Sequence, residues 1–361
     1  MRVLTNPIRW AMRRGTFMRI SAGIIAVVAL LSPSPAAQSA TEPLAVARIL
    51  AAKYPAQPIM SYIPALSWSN SLRLSEITGE RQWREKVEKD IEPFTSDPAK
   101  TKAEPRRLTS LAGAFAFLDA WALTRNRAAQ KVGMEVAPLM LPQSPEEVVR
   151  YATGWTDDMF MASSVLSRLG GVEFTATVGK LLTTYAARLQ RPDGIFVHAV
   201  DGPHAWGRGN GFALLGITEA LTYLPEGWSD RSRVLEIYRK HVAALAKLQS
   251  DDGSWRQVVD EPTSYRELTV TAMTTAAMAR GARLGWIDRS TYEPIIDRGW
   301  NAVASRVNAD GTVKDVCSGT GVGPTKEYYL TRPVVNGADD RGGAMALLAA
   351  IEVETLRRAP R

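Results

Sequence analysis

Two adjacent carboxylates follow a tryptophan near the middle of the chain, in a stretch from Trp155 to Met161 that reads WTDDMFM. An aspartate at the start of a helix can be a cap, because the free backbone N–H groups and the helix dipole favour negative charge there. Alternatively, burial in a partly apolar cavity raises the pKa of a carboxyl group, which can then donate a proton near neutral pH. Trp155 and Met161 would supply the apolar wall. From chemistry alone, both interpretations stay open for Asp157 and Asp158.

A second group of reactive side chains comes before a later helix, where His198, His204, Trp206 and Arg208 fall within eleven residues. A guanidinium group suits a carboxylate ligand, and an indole suits the face of a sugar ring. The glycines that alternate along this stretch let the backbone approach a ligand or turn sharply. They do not form a dinucleotide motif, because no strand precedes them and the spacing is wrong. We favour a ligand site here; the alternative is a helix cap with a buried ion pair.

The first forty residues have the pattern of an export signal. They contain five arginines and no acidic residue, then an apolar run from Ile20 to Leu31, then small residues as far as Ala40. This order is typical of a signal peptide, and the apolar run is short for a membrane span. We therefore predict a signal peptide over residues 1–40, one domain over 41–361 and a periplasmic or secreted location. A membrane anchor that is never cleaved is the alternative.

The positive charge of the chain comes mostly from that leader. Without its five arginines, the 44 basic residues become 39 against 37 acidic ones, and the net charge falls from +7 to +2. No basic run interleaved with aromatic residues remains, so we expect no nucleic-acid partner. Three histidines and one cysteine are too few and too scattered for a metal site, and we expect no cofactor. We predict a packed thiol at Cys317 and a monomer without stable membrane association once the leader is removed.

Segments of low charge alternate with amphipathic segments along the rest of the chain. A helix with few charges on any face should be buried, and an amphipathic helix should cover it. The low-charge segments are Leu66 to Thr78, Gly113 to Thr124, Asp158 to Leu169, Gly211 to Leu224, Ala272 to Leu284 and Ala344 to Glu354. The amphipathic segments include Gln82 to Glu92, Ala128 to Met140, Phe174 to Gln190, Ser229 to Gln249 and Tyr292 to Val307.

Six such repeats predict an all-α fold, the (α/α)6 barrel, with an inner ring of helices inside an outer one. In such a barrel the loops that lead into the inner helices meet at one mouth. The reactive residues should therefore lie just before the inner helices, and the wider spacing of the later repeats predicts insertions in those loops. An open helical solenoid is the alternative.

Six stretches carry a resemblance to one known family. They begin at Trp155, Trp206, Leu248, Ser264, Arg283 and Val316, and they read WTDDMFM, WGRGNGF, LQSDDGSW, SYRE, RLGWID and VCSGTG. Each is weakly specific alone, but together they follow the family order. The chain resembles the unsaturated rhamnogalacturonyl hydrolases, glycoside hydrolase family 105, and more distantly the unsaturated glucuronyl hydrolases of family 88. The resemblance runs from about Ala45 to Glu354.

This resemblance implies the same barrel and an unusual reaction. Family members act on the products of polysaccharide lyases, which carry a 4,5-unsaturated uronic acid at the non-reducing end. One aspartate protonates C4 of the enol ether and helps water to add at C5, so two catalytic carboxylates are not needed. The expected activity is thus exo-acting release of an unsaturated uronic acid, in the first place galacturonic acid, from an acidic oligosaccharide.

The resemblance also assigns roles to residues of this chain. Asp157 matches the catalytic aspartate, and Trp155 and Met161 match residues that line the sugar site. The side chains that match ligand contacts are His198, Trp206 and Arg208.

The chain departs from the family pattern in several places. Phe212 stands where the family usually has a tryptophan, so we expect it to form an altered wall of the sugar site. The region from Arg107 to Gly113 lacks a second aspartate that many members carry, and Glu147 to Arg150 lacks a common histidine. Two alternatives therefore stay open: a sugar-binding barrel without catalysis, and another (α/α)6 enzyme with a second carboxyl group facing Asp157.

Overall fold

The computed structural model describes residues 41–102 and 104–360. The predicted signal peptide lies outside these residues. In chain order the helices of the described part are α1 (Pro43–Lys53), α2 (Tyr62–Thr78), α3 (Arg81–Thr95), α4 (Leu108–Leu111), α5 (Ala114–Thr124), α6 (Arg127–Val136), α7 (Asp157–Leu169), α8 (Val172–Leu189), α9 (Gly207–Tyr223), α10 (Arg231–Lys247), α11 (Leu268–Arg283), α12 (Arg289–Ala304), α13 (Lys326–Leu330) and α14 (Asp340–Arg358). Short 3₁₀ helices span Pro98–Lys102 and Ala137–Met140.

Six helices form a closed inner ring. Going round it, α2 contacts α5, which contacts α7, then come α9, α11 and α14, and α14 packs back on α2. These are the six low-charge segments of the sequence. Their burial extends to nearly every face, as in α11, where every residue from Leu268 to Ala282 is buried. A closed ring confirms the predicted (α/α)6 barrel, because the first and last repeats of an open solenoid would not touch.

An outer layer of six helices covers this ring. Helices α3, α6, α8, α10 and α12 each pack on the inner helix that precedes them in the chain, and α1 packs on α14. In α3 the buried residues Trp83, Val87, Ile91 and Phe94 recur every three or four positions, as an amphipathic helix requires. Burying each such side chain stabilises the fold by roughly 1.5–3 kcal/mol.

Two local differences from the sequence prediction lie in the outer layer and in the insertions. The predicted helix from Ala128 to Met140 is α-helical only as far as Val136, because Pro138 has no N–H group to donate to the helix. Two small antiparallel sheets also occur in the insertions before α11 and α14. They pair β1 (Trp255–Arg256) with β2 (Arg266–Glu267), and β3 (Val313–Cys317) with β4 (Val334–Gly337). Strands this short show no clear alternation in the sequence.

No helix in the described ranges is both long and apolar enough to cross a membrane.

The inner helices are joined through charged side chains that are almost fully covered and lie in the middle or the C-terminal half of each helix. We call this set the ionic ring; its members, one per inner helix in the order α2, α5, α7, α9, α11 and α14, are Arg73, Asp119, Arg168, Glu219, Arg280 and Glu352.

The ionic ring alternates in sign, so each charge lies against opposite ones. Arg168 is 2.7 Å from Asp119 and 2.5 Å from Glu219. Arg280 is 2.7 Å from Glu219 and 2.5 Å from Glu352, and Arg73 is 2.6 Å from Glu352. The ring closes through Ser69 of α2, whose hydroxyl donates to Asp119 at 2.5 Å.

Only a cavity of ≈ 20 Å³ remains beside the ionic ring. That is room for about one water molecule and not for a sugar ring. This cavity is therefore too small to be the predicted sugar site, which we expect at the opposite end of the barrel, where the inner helices begin.

Candidate active site

The two adjacent aspartates at the start of α7 face different surroundings. Asp158 is buried and accepts hydrogen bonds from the backbone N–H groups of Thr153 at 2.8 Å and Gly154 at 2.9 Å, and from the Tyr185 hydroxyl at 2.7 Å. Its burial raises the pKa of Asp158 to about 6. Asp158 thus fixes the loop that leads into the helix. Asp158 is therefore structural, but it is not the helix cap that the sequence offered, because its backbone donors precede α7.

Asp157 lies in a cluster with three of the other predicted residues. Its Oδ2 is 3.3 Å from Nε2 of His198, whose side chain is fully buried, whereas the Asp157 side chain is 19% exposed. The His198 ring lies 5.3 Å from the ring of Trp155 and 4.5 Å from that of Trp206. The carboxyl group therefore has a partly apolar setting and remains open to the barrel mouth. It also lies at the positive end of the helix dipole of α7.

Backbone hydrogen bonds hold His198 in this cluster. The N–H of Thr156 donates to the carbonyl of His198 at 3.0 Å, which connects the start of α7 to the loop between α8 and α9. The amide of Asn210 donates to the carbonyls of Phe196 and Trp206, each at 2.9 Å. Those two residues flank the loop that contains His198, so one side chain of α9 braces both ends of it.

Arg208 is held inside the protein by fixed partners. Its Nε donates to the Thr269 hydroxyl at 2.8 Å, its Nη2 donates to the carbonyl of Cys317 at 2.5 Å, and Nη2 is 3.5 Å from the carboxylate of Glu267. Burial acts to lower the pKa of Arg208, but Glu267 and the other acidic groups nearby together outweigh burial, and the pKa is raised. The ion pair that the sequence offered as an alternative is therefore present. A ligand role for Arg208 stays a prediction.

Phe212 and Met161 lie deeper in the barrel. Phe212 stacks on Phe160 with ring centres 6.0 Å apart, and its ring meets that of Tyr62 edge-on at 5.5 Å. Met161 is buried one helical turn below Asp157, so the two share a face of α7. Both side chains lie deeper in the barrel than the cluster around Asp157. Their role in lining the sugar site stays a prediction.

Tyr62 is a mouth residue that the sequence prediction missed. Burial raises the pKa of Tyr62 to about 12, and its hydroxyl lies within electrostatic range of Arg208, Asp157 and Arg341. The prediction began the first inner helix at Leu66, whereas α2 begins at Tyr62. Pro64 was the available signal, because proline is favoured in the first turn of a helix.

The other carboxylates at this mouth are already engaged by nearby N–H groups. Glu267 accepts from the N–H of Val270 at 2.8 Å and of Cys317 at 2.9 Å. Asp339 accepts from the N–H of Gly342 at 2.9 Å, and Asp340 from that of Ala56 at 3.0 Å.

Asp157 differs from these carboxylates. Among the acids at the starts of the inner helices that the structure describes, it alone accepts no hydrogen bond and keeps an exposed edge. This arrangement supports chemistry by one carboxyl group over a pair of facing carboxylates. Within the same described ranges, no group of three or more His, Cys, Asp or Glu side chains could hold a metal ion.

The glycines of α9 allow close helix packing, and their approach to a ligand stays a prediction. A Cβ atom on Gly209 would come within 2.6 Å of the Thr156 hydroxyl oxygen. One on Gly216 would overlap the backbone carbonyl of Met159. These glycines let α9 approach α7 closely, which brings Trp206 and Asp157 together. Cys317 is a buried free thiol, as predicted.

The family model of Glycosyl Hydrolase Family 88 matches residues 47–357, nearly the whole described chain.

Curated relatives match over shorter stretches. An unsaturated 3S-rhamnoglycuronyl hydrolase of Alteromonas sp. is 30% identical over 175 residues, 44% of this chain and 42% of that protein. An unsaturated rhamnogalacturonyl hydrolase of Bacillus subtilis is 26% identical over 191 residues, 50% of this chain and 54% of that protein. The chain thus spans only about half the length of these relatives.

Solved structures share the fold. One of them, described as a possible member of the GH105 family from Salmonella enterica, superimposes with a TM-score of 0.76 at 19% identity and covers 93% of this chain and 99% of its own. At this identity the likeness concerns the fold. The extent of the family match confirms the predicted relationship, and the chain belongs to Glycosyl Hydrolase Family 88.

Proposed function

We propose that this protein hydrolyses oligosaccharides that end in an unsaturated uronic acid, acts at that end, and releases the unsaturated residue, in the first place galacturonic acid. Family membership supports a glycoside hydrolase, and the relatives described above are named for unsaturated rhamnoglycuronyl and rhamnogalacturonyl substrates. The observation that carries the proposal is Asp157, the mouth carboxylate that accepts no hydrogen bond in this structure and lies 3.3 Å from His198, whose ring contacts the indole rings of Trp155 and Trp206.

In the proposed reaction, Asp157 acts first as an acid and then as a base. Its proton goes to C4 of the enol ether, and the positive charge that develops at C5 is shared with the ring oxygen. Water adds at C5 while the Asp157 carboxylate takes its proton, which regenerates the acid. The resulting hemiketal opens by breaking the bond between C5 and the ring oxygen. The hemiacetal left at C1 then breaks down to an aldehyde and releases the neighbouring sugar through its hydroxyl group.

The neighbouring residues would bind and orient the sugar. Trp155, which is partly exposed, would offer an aromatic face to the sugar ring, buried Trp206 would support the site from behind His198, and His198 would hold one edge of the Asp157 carboxyl group. Arg208 supplies a fixed positive charge near the mouth, which favours an anionic substrate even though part of its guanidinium group is paired. Phe212 and Met161 form the apolar floor beneath them.

An assay with matched substrates tests this proposal. The purified protein is given an unsaturated galacturonyl disaccharide, its unsaturated glucuronyl counterpart, and the saturated form of each. We expect turnover of the unsaturated substrates only, with loss of their ultraviolet absorbance and a preference for the galacturonyl one. Equal turnover of the saturated substrates would show an ordinary glycosidase. Calorimetric binding without any loss of absorbance would show a sugar-binding protein.

A further inference from the structure

His198 lies between Asp157 and a tyrosine from a distant part of the chain. Its Nε2 is 3.3 Å from Oδ2 of Asp157, and its Nδ1 is 3.1 Å from the hydroxyl of Tyr329. Both His198 and Tyr329 are buried. The imidazole ring of His198 therefore lies between the proposed catalytic carboxyl group at one nitrogen and the phenol of Tyr329 at the other.

Tyr329 is carried to this place by the insertion before α14. It belongs to the short helix α13, and its own carbonyl accepts a hydrogen bond from the Gln257 amide at 3.3 Å. Its ring also lies 5.5 Å from that of His204, in the loop after His198. The insertion thus packs directly on the loop that positions His198.

The direction of these hydrogen bonds follows from counting protons. The backbone N–H of Gly323 donates to the Tyr329 hydroxyl oxygen at 3.3 Å. The hydroxyl has one proton to give, and the acceptor in reach is Nδ1 of His198. If Nδ1 carried the imidazole proton instead, the buried phenol proton would lack an acceptor, which is unfavourable. Nδ1 is therefore the acceptor in neutral His198, and Nε2 carries the proton that faces Asp157.

The electrostatic setting of Tyr329 keeps its proton in place. Burial raises the pKa of Tyr329, and the negative charges of Asp201 and Asp157 act in the same direction. The phenol is therefore a donor at any pH at which the enzyme would work.

We propose that Tyr329 is a positioning residue: it selects the His198 tautomer that donates from Nε2 to Asp157, and so it orients the carboxyl group for proton transfer. The proposal rests on the proposed function of Asp157. Nε2 and Oδ2 do not form a hydrogen bond in this structure; the one that Nε2 would donate when substrate binds would hold Oδ2 and leave Oδ1 to exchange the proton with the substrate and water. The 3.3 Å separation is long for a hydrogen bond, and such contacts in unliganded sites commonly shorten when substrate binds.

The chain offers a matched control in the neighbouring Tyr328. Its hydroxyl accepts from the N–H of Gly321 at 3.2 Å, much as that of Tyr329 accepts from Gly323, but it does not reach His198. Comparing Tyr329→Phe with Tyr328→Phe therefore separates the contact with His198 from support of the glycine-rich loop.

The test is nuclear magnetic resonance of the full protein labelled in its histidines, together with steady-state kinetics. Only three histidines occur, so the imidazole ¹⁵N signals of His198 can be assigned by comparison with a His198→Gln variant. The wild-type protein should show His198 protonated at Nε2. Tyr329→Phe should shift population toward the Nδ1-protonated tautomer and lower kcat about tenfold, with KM little changed. Tyr328→Phe should change neither.

Several results would overturn the proposal. Wild-type His198 protonated at Nδ1, or at both nitrogens, would do so regardless of how any variant folds. So would a Tyr329→Phe protein with unchanged tautomer and rate, or a Tyr328→Phe protein with equal losses. If the wild-type protein shows no turnover of unsaturated substrates, the proposed function fails, and the tautomer measurement still decides the role of Tyr329.

Discussion

Asp157→Asn should lower kcat on an unsaturated disaccharide by roughly a thousandfold while leaving the fold intact, because removing a general acid typically costs 10²- to 10⁴-fold. Asparagine has nearly the same shape but cannot transfer the proton to C4 or accept one from water. No backbone group donates to Asp157, and its side chain is partly exposed, so the thermal midpoint should stay within a few degrees of wild type. Kinetics and thermal unfolding of the same preparation check both parts.

The adjacent Asp158→Asn variant is the matched control. Oδ2 of Asp158 accepts hydrogen bonds from two backbone N–H groups and from Tyr185, and an amide oxygen in its place binds these three donors less strongly because it lacks the negative charge. Loss of stability of about 1–3 kcal/mol is expected. If Asp157→Asn keeps most of its activity, or if only the Asp158 variant is inactive when folded, the catalytic assignment is wrong.

Glu352→Gln should destabilise the barrel by about 3–5 kcal/mol, because breaking a buried ion pair leaves uncompensated charge. Glu352 is fully buried; its carboxylate lies 2.5 Å from Arg280 and 2.6 Å from Arg73, and Arg283 is 3.6 Å away. Glutamine keeps the shape but removes the negative charge that balances these guanidinium groups. Denaturant unfolding of both proteins measures the difference.

The effect of Glu352→Gln should depend on pH. Burial acts to raise the pKa of Glu352, but the three arginines outweigh burial and hold the pKa well below its ordinary value of 4.5. A carboxyl group with a lowered pKa in the folded state stabilises the fold above its unfolded pKa and loses that contribution as the pH falls. The difference in the free energy of unfolding between wild type and variant should therefore be largest near neutral pH and should become smaller in acid.

Glu354→Gln is the control on the same helix. Glu354 pairs with Arg358 one turn away at the surface, and such exposed pairs are worth less than about 1 kcal/mol. Equal losses for the Glu352 and Glu354 variants would contradict a special role for the ionic ring.

The sequence was sufficient to predict the barrel but not the charge pairs of the ionic ring inside it. Long segments of low charge, such as those of α9 and α11, stand out from the amphipathic helices around them, and each of the six was predicted. The pairing of Arg168 with Asp119 and Glu219 joins residues 49 and 51 positions apart. Such contacts depend on how neighbouring helices meet, and no local pattern records that.

The site was predictable in part for the same reason. The motif around Trp155 contains the carboxyl group, and the loop before α9 contains His198 and Trp206, so their types and spacing were visible. Which aspartate faces the mouth depended on the Thr153–Gly154 loop and Tyr185, whose contacts with Asp158 become apparent only in three dimensions. Tyr329 lies 131 positions from His198.

The central claim, protonation of the double bond by Asp157, is tested most directly by running the reaction in heavy water. The account predicts that the wild-type protein releases the neighbouring sugar and that the ultraviolet absorbance of the enol ether disappears at the same rate. It also predicts one deuterium at C4 of the uronic acid product. Release of the neighbouring sugar together with a uronic acid that keeps its double bond and carries no deuterium at C4 would contradict the claim.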